Sequence, residues 1–144
     1  MDVSLEYIKQ CEKATEIQAL RDSERDGDFY LVGRTVFDSY KEDIECTCHD
    51  VFEEYAKKSS TPSKPDEYYT RIIWIPRQDQ LQEMVGGHPL ELLDKFYTFC
   101  MWDERFEEMR EKLSPITMEQ LWLAFVMKQK YGKALDSNKE EWVK

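Results

Sequence analysis

Histidine is nearly absent from this sequence: His49 and His88 are the only two. Imidazole chemistry therefore has few carriers, and nothing local sets either residue into a Ser–His–Asp or Cys–His arrangement. The signatures of other site chemistries are missing too. There is no P-loop, no G-x-G-x-x-G, no G-x-S-x-G elbow and no H-E-x-x-H. Long apolar runs are also lacking. The longest, Leu121 to Met127, falls far short of the roughly 18 residues that mark a transmembrane candidate. The opening MDVSLEYIKQ has neither a basic n-region nor an apolar h-region, so no secretory leader and no membrane association are expected.

Positive charge is in short supply. Twenty Lys and Arg face thirty Asp and Glu, for a net charge of -10. Such a balance repels nucleic-acid phosphates and anionic lipid, which excludes direct nucleic-acid binding as an expectation. It fits a cytoplasmic protein, in which the four cysteines Cys11, Cys46, Cys48 and Cys100 stay reduced. No cofactor is expected.

Core material is plentiful by contrast. Apolar residues make up 41% and aromatics 13% of the 144 residues, enough for one domain with a real core rather than a disordered chain. No repeat and no composition shift divides the chain, so residues 1–144 read as a single domain.

Periodicity gives the elements. Tyr7, Ile8, Cys11, Ala14 and Ile17 fall at helical spacing within residues 3–20, with Ser4 as N-cap. The charged stretch 21–28 is a turn, and FYLVGRTVFDSY is a hairpin or a bulged strand around Gly33-Arg34. KEDIECTCHDVFEEYAKKSS is ambiguous, with a short helix near Val51, Phe52 and Tyr55 as one reading. STPSKPD is a loop. EYYTRIIWIP is a strand stopped by Pro76, which would then occupy the first position of the helix QDQLQEMV. A wide apolar helical stripe follows: Leu90, Leu93, Phe96, Tyr97, Cys100 and Met101. After Pro115, Thr117 and Gln120 form a capping-box pair opening a helix that is apolar nearly all round and should be the buried centre of the core. The fold class expected is α+β, a small antiparallel sheet packed against a C-terminal helical layer.

Three groups of residues could carry chemistry. Cys46, Cys48 and His49, within ECTCHD, have the ligand types zinc prefers. They lack a second Cys/His pair at the usual distance, and Cys46/Cys48 alternation also fits plain strand packing. The acids Asp103, Glu104, Glu107, Glu108 and Glu111 are interleaved with Arg105, Arg110 and Lys112, the pattern of a solvated face. Arg77 stands at a strand-to-helix junction beside Gln78 and Gln82, where it could hold a partner carboxylate or pair with a neighbouring acid. With Trp102 and Trp142 as exposed aromatic hot spots, these five residues are the candidate partner-binding set.

WIPRQDQLQEM (Trp74 to Met84) and LWLAFVMKQKYGKALDSNKEEWV (Leu121 to Val143) together resemble a family of small uncharacterised proteins encoded by bacteriophages and prophages, mainly of Gram-positive bacteria. The GDFY strand start at Gly27 to Tyr30 is similar as well. The likeness spans most of the chain; the tail Ala134 to Glu141 is longer than is usual in that family, and ECTCHD is not one of its features. The resemblance implies phage or prophage origin and action in the host cytoplasm, with no assigned activity. The resulting expectation is a non-enzymatic protein-interaction domain. Alternatives are an acidic DNA-mimic inhibitor of a host nucleic-acid-binding protein and a small metal-dependent enzyme using Cys46, Cys48 and His49. The aromatic surplus also makes a homodimer an expectation.

Overall fold

A computed structural model describes residues 2–22, 28–36, 39–46, 67–104, 106–107, 111, 116–136 and 138–144. The ambiguous segment near Val51, Phe52 and Tyr55, for which a short helix is one reading, lies outside them, as does the loop STPSKPD.

The N-terminal helical pattern becomes three pieces. Helix α1 (Leu5–Lys13) starts at Ser4, whose hydroxyl accepts from the Tyr7 N–H at 3.2 Å. It ends at Ala14, whose N–H is shared between the Gln10 and Cys11 carbonyls. A single turn, α2 (Thr15–Gln18), and a 3-10 turn (Ala19–Asp22) follow. Strand β1 (Phe29–Val36) then pairs antiparallel with both β2 (Ser39–Cys46) and β3 (Glu67–Ile75), giving the order β2-β1-β3. The β1–β3 register slips between Gly33 and Arg34, whose partners are Arg71 and Tyr69. Thr70 is the extra residue, so the Gly33-Arg34 punctuation marks a bulged pairing and not a hairpin.

Helices α3 (Gln78–Val85), α4 (Pro89–Trp102) and α5 (Met118–Tyr131) come next, then a hairpin of β4 (Ala134–Asp136) and β5 (Glu141–Val143). The α+β class, with an antiparallel sheet and a C-terminal helical set, is thus observed.

Two compact units divide the chain, one interrupting the other. Residues 17–75 form one, holding β1, β2 and β3; residues 1–16 and 76–144 form the other. In the sheet unit, Tyr30, Leu31 and Val32 are all buried, as are Ile73, Trp74 and Ile75. Gln18 closes the outer side of β3. Its side-chain amide donates to the Trp74 carbonyl and accepts from the Trp74 N–H, both at 2.9 Å. One glutamine thereby satisfies a pair of edge groups that would otherwise invite a foreign strand.

In the helical unit, α5 is the centre. Trp122 to Met127 are buried without a break, which a helix tolerates only when neighbours enclose it on all sides. Its start is the expected capping box: Thr117 Oγ1 accepts from the Gln120 N–H at 3.2 Å, and Gln120 Oε1 accepts from the Thr117 N–H at 2.9 Å. Asp2 ties this cap to that of α1. One carboxylate oxygen accepts from the Ser4 N–H at 2.8 Å and the other from the Thr117 hydroxyl at 2.6 Å. Helix α1 is further fixed by Tyr7, whose buried hydroxyl donates to the Pro76 carbonyl at 2.6 Å.

Candidate partner-binding face

Helix α4 is built to present a face. His88 caps it, its Nδ1 accepting from the Leu90 N–H at 3.3 Å, and Pro89 fills the first helical position, where a missing N–H is harmless. One side of the helix is spent on α5. Phe96 lies flat on Trp122, ring centroids 4.1 Å apart and planes 2° from parallel, and meets Phe125 edge-on at 5.4 Å. Phe99 contacts Phe125 and Phe106. Offset and edge contacts of this kind add specificity to area burial.

The opposite side carries Leu90, Leu93, Tyr97 and Met101, spaced three, four and four residues apart. All are exposed, Leu90 at 70% and Tyr97 at 62%. At 1.5 Å per residue the row is about 16 Å long. Trp102 follows at 77% exposure. Scattered surface leucines need no explanation, but a contiguous row of large apolar side chains does. Beside the row stand Glu91 and Asp94, both exposed, and neither has an ion-pair partner among the described residues.

Next to Trp102 an open groove of about 450 Å³ runs between the C-terminal halves of α4 and α5, lined in part by Asp94, Asp103, Lys95 and Lys128. Asp103 organises it. Its N–H bonds the Phe99 carbonyl to end α4, Oδ1 accepts from the Phe106 N–H at 3.1 Å to start the next turn, and Oδ2 pairs with Lys128 Nζ at 3.1 Å. The groove thus carries both signs of charge beneath an exposed indole.

The residues singled out from sequence meet different fates. Trp102 is on the exposed face. Trp142 is not an exposed aromatic: it is 7% exposed and donates its indole N–H to the Gln10 carbonyl at 2.9 Å. The β4–β5 hairpin turns it inward toward α1, so it is a core residue. Arg77 is the N-cap of α3 and grips Asp79 with two parallel bonds, Nε to Oδ1 and Nη2 to Oδ2, each 3.0 Å. That contact holds the Asp79 carboxyl below its usual range. Arg77 has a further interaction besides. Gln78 and Gln82 are half-buried, and neither stands on α4. Pro76 does not occupy the first helical position as the sequence suggested; it precedes the cap, buried, with its carbonyl taken by Tyr7.

Of the metal candidates, Cys46 ends β2, and Cys48 and His49 lie outside the described residues. Among the described residues no cluster of three His, Cys, Asp or Glu is placed to hold a metal. Burial pushes the Cys11 and Cys100 thiols up, so neither is an activated nucleophile. Among the described residues no helix is long and apolar enough to cross a membrane.

Comparison with protein-family models, curated proteins and solved structures finds no match to this chain.

The outer face of α4 is the element that sequence reasoning missed. Leu90, Leu93, Tyr97 and Met101 read as part of one wide apolar stripe with Phe96 and Cys100, and the signal for a second face was there: an apolar arc running from Leu93 round to Phe99 is wider than one packing contact consumes.

Proposed function

We propose that this chain is a phage- or prophage-encoded accessory protein that acts in the cytoplasm of the host bacterium by binding a protein partner, without catalysing a reaction. The observation that carries the reading is the exposed row Leu90, Leu93, Tyr97 and Met101 with Trp102 at its end. Aromatic and long aliphatic side chains on a rigid helix are the usual anchors of protein interfaces. The helix is held from behind by the Phe96–Trp122 stack, so the anchors are already placed and little ordering is required on binding. The motif resemblance of Trp74 to Met84 and Leu121 to Val143 supplies the phage setting.

The DNA-mimic reading asks for an unbroken acidic face. Lys9 with Glu140, Lys13 with Glu141, Lys133 with Glu16 and Lys128 with Asp103 place positive groups among the acids instead. The apolar row is therefore the better-supported contact surface.

The test is paired affinity capture from a bacterial host lysate with the native chain and a Leu93→Asp/Tyr97→Asp variant. A partner enriched by the native chain and reduced at least about tenfold by the variant supports the reading, since loss of central anchors has that effect on affinity. Identical protein recovery with both baits removes it.

A further inference from the structure

The chemistry around the apolar row says what sort of partner segment it suits. The row is straight, about three turns long, and lies on one helix. That shape matches a second helix laid along it, with its own apolar side chains meeting Leu90, Leu93, Tyr97 and Met101. One flank of the row is acidic: Glu91 and Asp94 are exposed and lack ion-pair partners among the described residues. The indole of Trp102, at the C-terminal end, is exposed at 77% beside the groove that Asp94 lines together with Lys95 and the Asp103–Lys128 pair, which leaves Asp94 as its carboxylate without an ion-pair partner among the described residues. An indole face near carboxylates is a good seat for a lysine or arginine head group. The only base on α4 is Lys95, and the chain as a whole carries a charge of -10. A second copy of this chain would bring the same excess of acid to the contact, which disfavours self-pairing.

We infer that the outer face of α4 docks a basic amphipathic helix, its apolar side on the Leu90–Met101 row and its lysines or arginines against Glu91, Asp94 and the Trp102 rim. This rests on the partner-binding reading above and names the class of partner. The apolar row supplies the contact area; the acidic flank sets orientation and rejects acidic helices.

The experiment is a fluorescence-anisotropy titration of a labelled synthetic leucine–lysine peptide with the apolar residues at helical spacing. Two controls accompany it: the same peptide with glutamate for lysine, and a scrambled leucine–lysine peptide of equal composition without the spacing. Saturable binding of the helical basic peptide alone is expected. Leu93→Asp should weaken it at least about tenfold, and Glu91→Gln/Asp94→Asn about fivefold, with further loss as salt rises. The three substituted residues, Leu93, Glu91 and Asp94, are all exposed, and circular-dichroism melts check that each variant is folded. Equal binding by the glutamate or scrambled peptide overturns the inference, as does an unchanged affinity in either variant. A concentration-dependent dimer of the native chain that Leu93→Asp converts to monomer also overturns it, because a second copy is then the occupant. If the peptide fails to bind while lysate capture still depends on Leu93 and Tyr97, the partner-binding reading stands and the basic-helix assignment falls; if neither depends on them, both fall.

Discussion

Replacing Tyr7 by phenylalanine removes one oxygen atom from the inside of the helical unit and leaves the ring where it was. Tyr7 is wholly buried, and its hydroxyl donates at 2.6 Å to the Pro76 carbonyl. A neutral buried hydrogen bond contributes about 0.5–1.5 kcal/mol net, and leaving its acceptor dry raises the loss to about 1–3 kcal/mol. Because the ring is retained, no cavity beyond one oxygen is made, so the expected loss for Tyr7→Phe is about 1.5 kcal/mol. Urea unfolding followed by tryptophan fluorescence reads it as a midpoint shift of about 0.5–1 M at an m-value near 2 kcal/mol/M. Tyr97→Phe is the matched control, since Tyr97 is exposed on α4 and should change stability by less than about 0.5 kcal/mol. Equal shifts for the two variants would refute the assignment of the Tyr7–Pro76 bond as a tie between α1 and the start of α3.

Other expectations follow from the same geometry. Gln18→Leu strips the Trp74 N–H and carbonyl of their shared partner and should cost about 1–3 kcal/mol in the same assay; Gln18→Glu, which keeps the acceptor and loses the donor, should fall between. Thr117→Ala and Asp2→Ala each remove part of one cap network and should cost about 1 kcal/mol apiece, with a double variant falling short of the sum by at least about 0.5 kcal/mol. Additive losses would mean that Asp2 does not link the caps. The Cys11 thiol is pushed well up by burial, so it stays protonated in the native state. The stability this contributes is whole below the unfolded-state value near 8.5 and declines as pH rises above it, by about 1.4 kcal/mol per pH unit; unfolding titrations from pH 7 to 10 should show that slope, and Cys11→Ala should flatten it. Glu16 is shifted the other way, chiefly by the Lys133 hydrogen bond. Its contribution is present above the unfolded value near 4.3 and is lost as pH falls through the lower folded one, so Lys133→Met should reduce the acid sensitivity of the melting temperature.

What could be read in the sequence was whatever local chemistry decides. Ser4 and Thr117 cap where a side-chain oxygen sits three residues before an unsatisfied N–H, Gln120 where it sits three residues after one, and α3 is bracketed by Pro76 and Gly86. The run Leu121–Met127 could only be an enclosed helix. What escaped is what distant partners decide. Ala14 ends α1 with no Gly or Pro to announce it. The charged stretch from Lys41 to Cys46 is strand because β1 holds it in register, Lys41 opposite Arg34 and Cys46 opposite Phe29; as a lone segment it has no clear period. Gln80 caps α3 from within, accepting from the Arg77 N–H at 2.8 Å, although arginine is no standard cap residue and so gave no cue. Trp142 looked like a surface anchor because nothing in the tail shows which side of a hairpin will find α1. For the candidate site, Trp102 was legible as a lone aromatic, whereas the row beside it was not. Periodicity reports that side chains share a face of a helix without saying whether anything lies opposite.

The interruption of the helical unit by residues 17–75 sets the order in which this protein can be made. Helix α1 leaves the ribosome well before the elements that cover it: the bond from Trp142 to Gln10 spans 132 positions and α5 begins only at Met118. At roughly 5–20 residues per second, Tyr7, Ile8 and Cys11 therefore wait on the order of ten seconds for the helix and hairpin that cover them. During that interval the β2-β1-β3 sheet can already form from residues wholly in hand. The nascent chain should thus carry a finished β2-β1-β3 sheet and an uncovered helix α1, a natural substrate for chaperones, until the residues through Trp142 are free.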